Sequence, residues 1–97
     1  VNPYYGFYAA VTRKDRDGNP ADGWYPQLCM TREEALKSYT IWGAYAIFAE
    51  SNRGSLEAGK YADFAVLNRD IMTCPVDEIW KTEAVLTVLG GKTVSEK

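Results

Sequence analysis

The chain predicts an α+β fold in which helices come first and a small antiparallel sheet follows. Three observations predict it. Apolar residues recur at helical spacing through the first half, a glycine-bracketed turn then leads into the apolar run Phe64-Ala65-Val66-Leu67, and Gly90-Gly91 separates two stretches of strand character.

The elements can be read in order. Asn2 is an N-cap with Pro3 at the first helical position, and Tyr4, Phe7, Tyr8 and Val11 share one face of a helix that runs to Arg13. That face reads as packing surface. Asp15 to Gly23 is a turn-rich loop whose acids invite a calcium reading, but an EF-hand loop starting at Asp15 needs glycine and glutamate where Pro20 and Pro26 stand. Thr31-x-x-Glu34 is a capping box opening a helix with Ala35, Leu36 and Tyr39 on one stripe. The phase shifts between Thr40 and Gly43, and Ala46, Ile47 and Ala49 continue on another, which predicts two helices or one sharply bent helix.

In the second half, Gly54 and Gly59 bracket a short polar turn, and Phe64 to Leu67 reads as a strand covered on both faces. Asp63 stands at its entrance, where a carboxylate accepts hydrogen bonds from turn amides; its chemical reading is a metal ligand or general base. Asn68-Arg69-Asp70 closes the strand, and Pro75 to Trp80 predicts a short helical turn. Ala84 to Leu89 is a second strand, and Gly90-Gly91 before Lys92-Thr93-Val94 is a two-residue hairpin signal leading into a third.

Composition sets limits on function. With 97 residues, 46% hydrophobic and 25% charged, the chain has the make-up of one globular domain or part of one. A net charge of −2 with scattered basic residues offers no field for a polyanion, so nucleic acid is excluded as a partner. No apolar run reaches the ~18 residues of a membrane span. The chain begins at Val1 rather than Met, which suits a trimmed or truncated product. Cys29 and Cys74 lack the spacing of a zinc site and read as free thiols of a reducing cytoplasm, the expected compartment, with a disulfide as the competing reading. The histidine count is zero, which excludes Ser/His/Asp and Cys/His catalysis.

The stretch Gly54-Ser55-Leu56-Glu57-Ala58-Gly59-Lys60-Tyr61-Ala62-Asp63-Phe64-Ala65-Val66-Leu67 resembles the signature G-S-[LI]-x-x-G-K-x-A-D-[FL]-x-V-[LI] of the metal-dependent amidohydrolase superfamily. The resemblance extends along the chain in the order of that superfamily's amidohydrolase-3 branch. Asn2-Pro3 with Gly6 to Arg13 is similar to the region after the last barrel strand. Thr31 to Leu36 and Gly43 to Ala46 are similar to its two closing helices, and Val85 to Val94 to its terminal hairpin. The branch often has asparagine where Trp42 stands, so the ring of Trp42 is expected to pack against the barrel.

The resemblance implies a fragment in which residues 1–52 complete a (β/α)8 barrel of the TIM type and residues 53–97 supply three strands of the composite β-sandwich domain. A whole barrel needs about 250 residues, so this chain can hold only its end. The resemblance also implies a parent hydrolase of carbon–nitrogen, amide-like bonds that binds one or two divalent ions, zinc or similar, through an H-x-H, further histidines and an S-D-x-P aspartate. None of those motifs occurs in this sequence. No catalytic residue, metal ligand or cofactor is therefore assigned to this chain, and its 13 carboxylates read as caps, turns and solvated surface. The segment after the last barrel strand lies at the active-site face of an α/β barrel, which makes Trp24 a substrate-adjacent candidate, with loop packing as the competing reading. Gly54, Gly59, Asp63, Gly90 and Gly91 are the structural turn residues.

A second reading belongs to another class: a free-standing interaction module using the aromatic face of the first helix. The expected partners are the remainder of the barrel and sandwich, with self-association of the isolated chain through unpaired strand edges.

Overall fold

The computed structural model describes residues 2–15 and 17–96. Arg16, in the middle of the turn-rich loop, and Val1 lie outside the described residues. Three α-helices come first, α1 (Pro3–Thr12), α2 (Arg32–Tyr39) and α3 (Ile41–Ala46), followed by strands β1 (Phe64–Leu67), β2 (Ala84–Leu89) and β3 (Lys92–Glu96). Short 3-10 turns occupy Pro26–Leu28 and Val76–Lys81. The fold is therefore α+β with helices ahead of strands. The chain forms two compact units, one from residues 1–36 and 69–83 and the other from 37–68 and 84–97.

In the first unit, local chemistry starts each helix. The Asn2 side chain accepts hydrogen bonds from the amides of Tyr4 (2.9 Å) and Tyr5 (3.3 Å), satisfying first-turn donors that the helix leaves open. Thr31 and Glu34 form the reciprocal capping box, with Glu34 N to Thr31 Oγ1 at 3.1 Å and Thr31 N to Glu34 Oε1 at 2.9 Å. α1 packs against the 3-10 turn Val76–Lys81, and the core closes on Phe7, Tyr8 and Ile79, which are 3%, 1% and 0% exposed. The aromatic face of α1 is thus spent on internal packing rather than presented to solvent. Arg32 donates to the Ile71 carbonyl at 3.1 Å, tying the start of α2 to the buried Ile71 segment.

The second unit is built on an antiparallel sheet of order β1-β2-β3, with Phe64 opposite Val88, Val66 opposite Leu86, and Leu89 opposite Lys92. Gly90 and Gly91 turn the hairpin with φ of 58° and 81°. Both fit a tight reversal that twists with its strands. α3 approaches the turn before β1 so closely that a Cβ on Gly54 would lie 2.9 Å from the Ala44 Cβ and 3.0 Å from the Ile41 Cα.

One expectation is corrected. β1 is not covered on both faces: Phe64 and Val66 are 37% and 44% exposed, and the described residues of this unit form a single three-stranded sheet. Ala35 is buried, whereas Leu36, Tyr39 and Ile47 are exposed, and α3 ends at Ala46 before the second stripe is complete. The break at Thr40 does divide the segment into two helices, with Trp42 left 47% exposed.

Candidate functional site

The loop before α2 carries Trp24. Its amide donates to the Arg13 carbonyl at 2.9 Å, the Arg13 Nε donates back to the Trp24 carbonyl, and the guanidinium lies 5.3 Å from the ring centroid. Tyr25 meets the indole edge-on at 4.7 Å. Arg13 and Tyr25 both adopt left-handed backbone, φ 54° and 52°, which non-glycine residues disfavour. Trp24 nevertheless stays 62% exposed and Tyr25 53%. The ring is held in place, but the described residues of this unit leave most of it exposed.

A cleft of about 440 Å³ opens in the same unit, lined by Tyr8, Lys14, Asp17, Asp77, Trp80 and Lys81. Burial pushes the Tyr8 phenol above its ordinary value; the Thr12 hydrogen bond opposes this, and nearby Asp77 and Asp15 add to it. The Asp15 carboxylate is occupied by its own loop, accepting from the amides of Asp17 (2.9 Å) and Asn19 (3.0 Å).

The turn residues gather in the second unit. Asp63 Oδ1 accepts from the Gly90 amide at 2.8 Å, and the Gly91 amide donates to the Ala62 carbonyl at 3.0 Å. The amide that Asp63 binds thus belongs to the β2–β3 turn, not to the Gly54–Gly59 turn before it. That earlier turn holds a network with no counterpart in the sequence reading: Ser55 Oγ donates to Glu57 Oε2 at 2.7 Å, and Lys60 Nζ reaches Ser55 Oγ at 2.8 Å and Glu57 Oε2 at 3.1 Å. The Ser55 hydroxyl first, and the Lys60 ammonium second, hold the Glu57 carboxyl below its ordinary value. The spacing Ser-x-Glu-x-Gly-Lys directly after Gly54 was the signal available for it.

These arrangements fix turns. Among the described residues, no group of three or more His, Cys, Asp or Glu side chains could hold a metal ion, and Cys29 and Cys74 are free thiols. A divalent ion therefore does not fit the donors that the described residues present. No helix among the described residues is long and apolar enough to cross a membrane.

A family model described as the amidohydrolase family matches residues 1–95. The chain belongs to the amidohydrolase family. It is 37% identical over 84 residues to the N-substituted formamide deformylase of Arthrobacter pascens, a match covering 87% of this chain and 15% of the deformylase. It is 33% identical over 97 residues to the putative amidohydrolase YtcJ of Bacillus subtilis, covering 100% of this chain and 18% of that protein. It is 42% identical over 71 residues to the imidazolonepropionase of Deinococcus radiodurans, covering 72% of this chain and 15% of that protein. No solved structure gives a significant match. This amidohydrolase chain spans less than a fifth of the length of the curated relatives it matches. The signature stretch that carried the resemblance is, in the structure, the Ser55–Glu57–Lys60 turn, the close approach at Gly54 and the Asp63–Gly90 contact.

Proposed function

We propose that this chain is the C-terminal structural part of a metal-dependent amidohydrolase that cleaves carbon–nitrogen, amide-like bonds. Residues 1–52 would complete its (β/α)8 barrel, and residues 53–97 would give strands to its composite β-sandwich. The supporting observation is the family match along residues 1–95 in a chain that spans 15% to 18% of relatives named for such chemistry. An N-substituted formamide, the class named for the Arthrobacter relative, is the first substrate class to assay. The divalent ion that supplies an activated water in such hydrolases would be held by other parts of the polypeptide, since the described residues offer no donor set for it. The role of this chain is to close the barrel and fix the turn into the sandwich, and alone it is inactive. Trp24 would face the substrate, held at its rim by Arg13 and Tyr25.

The reading as a free-standing module gains no support from α1, because Phe7 and Tyr8 are buried within their own unit. The test begins with the reading frame upstream of Val1, which should encode S-D-x-P and, further back, H-x-H. The whole polypeptide with zinc should hydrolyse N-substituted formamides, and the 97-residue chain should not. A start codon directly before Val1 with no barrel sequence, or full activity in this chain alone, would overturn the proposal. In the active polypeptide, Trp24→Ala should raise KM and leave kcat nearly unchanged. An unchanged KM would return Trp24 to simple loop packing.

A further inference from the structure

Residues 38–49, Ser-Tyr-Thr-Ile-Trp-Gly-Ala-Tyr-Ala-Ile-Phe-Ala, contain no charged side chain, although they run through α3 and out of its end. Several of the large side chains in this stretch face solvent: Trp42 is 47% exposed, Tyr45 68%, Ile47 67% and Phe48 90%. Large exposed apolar side chains gathered in one short uncharged stretch mark an interaction surface.

The end of α3 sharpens the anomaly. The amides of Phe48 and Ala49 donate to the carbonyls of Tyr45 (3.0 Å) and Ala44 (2.8 Å), the paired bonds of a Schellman helix end. In that motif the residue at Phe48 must be left-handed, and its φ is 60°. Glycine is the usual occupant, because a side chain there is disfavoured. Here the position holds a phenylalanine whose ring touches almost nothing. A disfavoured backbone that presents an exposed aromatic ring points to a packing partner outside this chain.

We propose that Trp42, Tyr45, Ile47 and Phe48 form the seam on which the rest of the longer polypeptide packs. The inference rests on the proposed function and assigns the docking surface within it. The occupant is identified by length, since this chain spans 15% to 18% of the relatives it matches and most of such a polypeptide lies outside it. The absence of charge from residues 38–49 matches an apolar protein surface better than solvent or an ionic partner.

The test places Phe48→Gly and Phe48→Glu in two contexts, the whole polypeptide and the 97-residue chain, and reads thermal unfolding by circular dichroism. In the chain alone, Phe48→Gly should raise Tm by relieving the left-handed backbone, and Phe48→Glu should leave Tm near wild type because the ring buries little. In the whole polypeptide both variants should lower Tm by several degrees, since each removes a buried ring. Changes of the same sign in both contexts, or an indifferent whole polypeptide, would overturn the proposal. A Phe48→Glu variant that converts an associated 97-residue chain to monomer while leaving the whole polypeptide unaffected would assign the seam to a second copy, and overturn it equally. The readout is stability, so a polypeptide inactive on amides can still carry the seam, and a failed seam leaves the hydrolase reading standing.

Discussion

The Asp63 carboxylate accepts a hydrogen bond from the Gly90 amide at 2.8 Å, joining the entrance of β1 to the β2–β3 turn across 27 residues of sequence. The parallel bond from Gly91 to the Ala62 carbonyl makes this a two-point clamp. A carboxylate answering a backbone amide in a turn is stronger than a neutral pair. Replacing Asp63 with Ala should cost about 1–2 kcal/mol in urea unfolding, and Asp63→Asn less than half as much because the amide oxygen can still accept. A loss within the ordinary surface scatter of about 0.5 kcal/mol would show that the clamp contributes nothing.

Gly54 and Gly59 bracket the same turn yet should respond differently to alanine. Both have positive φ, 100° and 91°, so each substitution carries a backbone cost of about 1 kcal/mol. Only Gly54 adds a clash, at 2.9 Å from the Ala44 Cβ and 3.0 Å from the Ile41 Cα, whereas nothing lies within 4 Å of a Cβ on Gly59. Overpacking of that kind adds a further ~1–3 kcal/mol. Denaturant melts of the two variants should therefore separate clearly, and equal losses would mean that α3 does not press on the turn.

The Glu57 carboxyl sits below its ordinary value of 4.5 because of Ser55 first and Lys60 second. A lowered folded pKa means that the folded chain binds this proton less readily than the unfolded chain. The contribution to stability is thus present above the ordinary glutamate value and is lost as pH falls through the depressed one. Glu57 is exposed, so the stability effect is small and the titration is the better readout. Carbon-13 NMR should place Glu57 below 4.5, and Ser55→Ala and Lys60→Gln should each move it upward. A wild-type midpoint at 4.5 or above would refute the network.

What could be read from the sequence was what neighbouring residues decide among themselves. Asn2 with Pro3, Thr31 with Glu34, and Gly90 with Gly91 act over two to three residues, and each forms as its spacing dictates. What could not be read depends on distant chain. Phe64 to Leu67 has the apolar run of a covered strand, yet nothing in its pattern reveals that among the described residues it belongs to a single three-stranded layer. The Schellman end at Phe48 was illegible because its usual signal, glycine, is replaced by an aromatic residue. The Asp63 contact was half legible. An acid before a strand announces a turn amide, but choosing Gly90 requires knowing that β1 pairs with β2 in antiparallel register.

β1 also bears on the behaviour of the chain in solution. It lies at one edge of the sheet, is uncharged from Phe64 to Leu67, and exposes Phe64 and Val66. β3, at the other edge, carries Lys92 and Glu96, charges that discourage edge-to-edge pairing. Association of the isolated chain should therefore run through β1, as the edge that a longer polypeptide would otherwise occupy. A net charge of −2 supplies little repulsion against it. Light scattering should show mass rising with concentration into the high micromolar range. Ala65→Lys should suppress that rise, because it places a charge on the pairing edge, whereas a lysine at Thr93 on the already charged β3 should leave it unchanged. A wild-type chain that stays monomeric throughout, or equal suppression by both lysines, would remove β1 as the site of association.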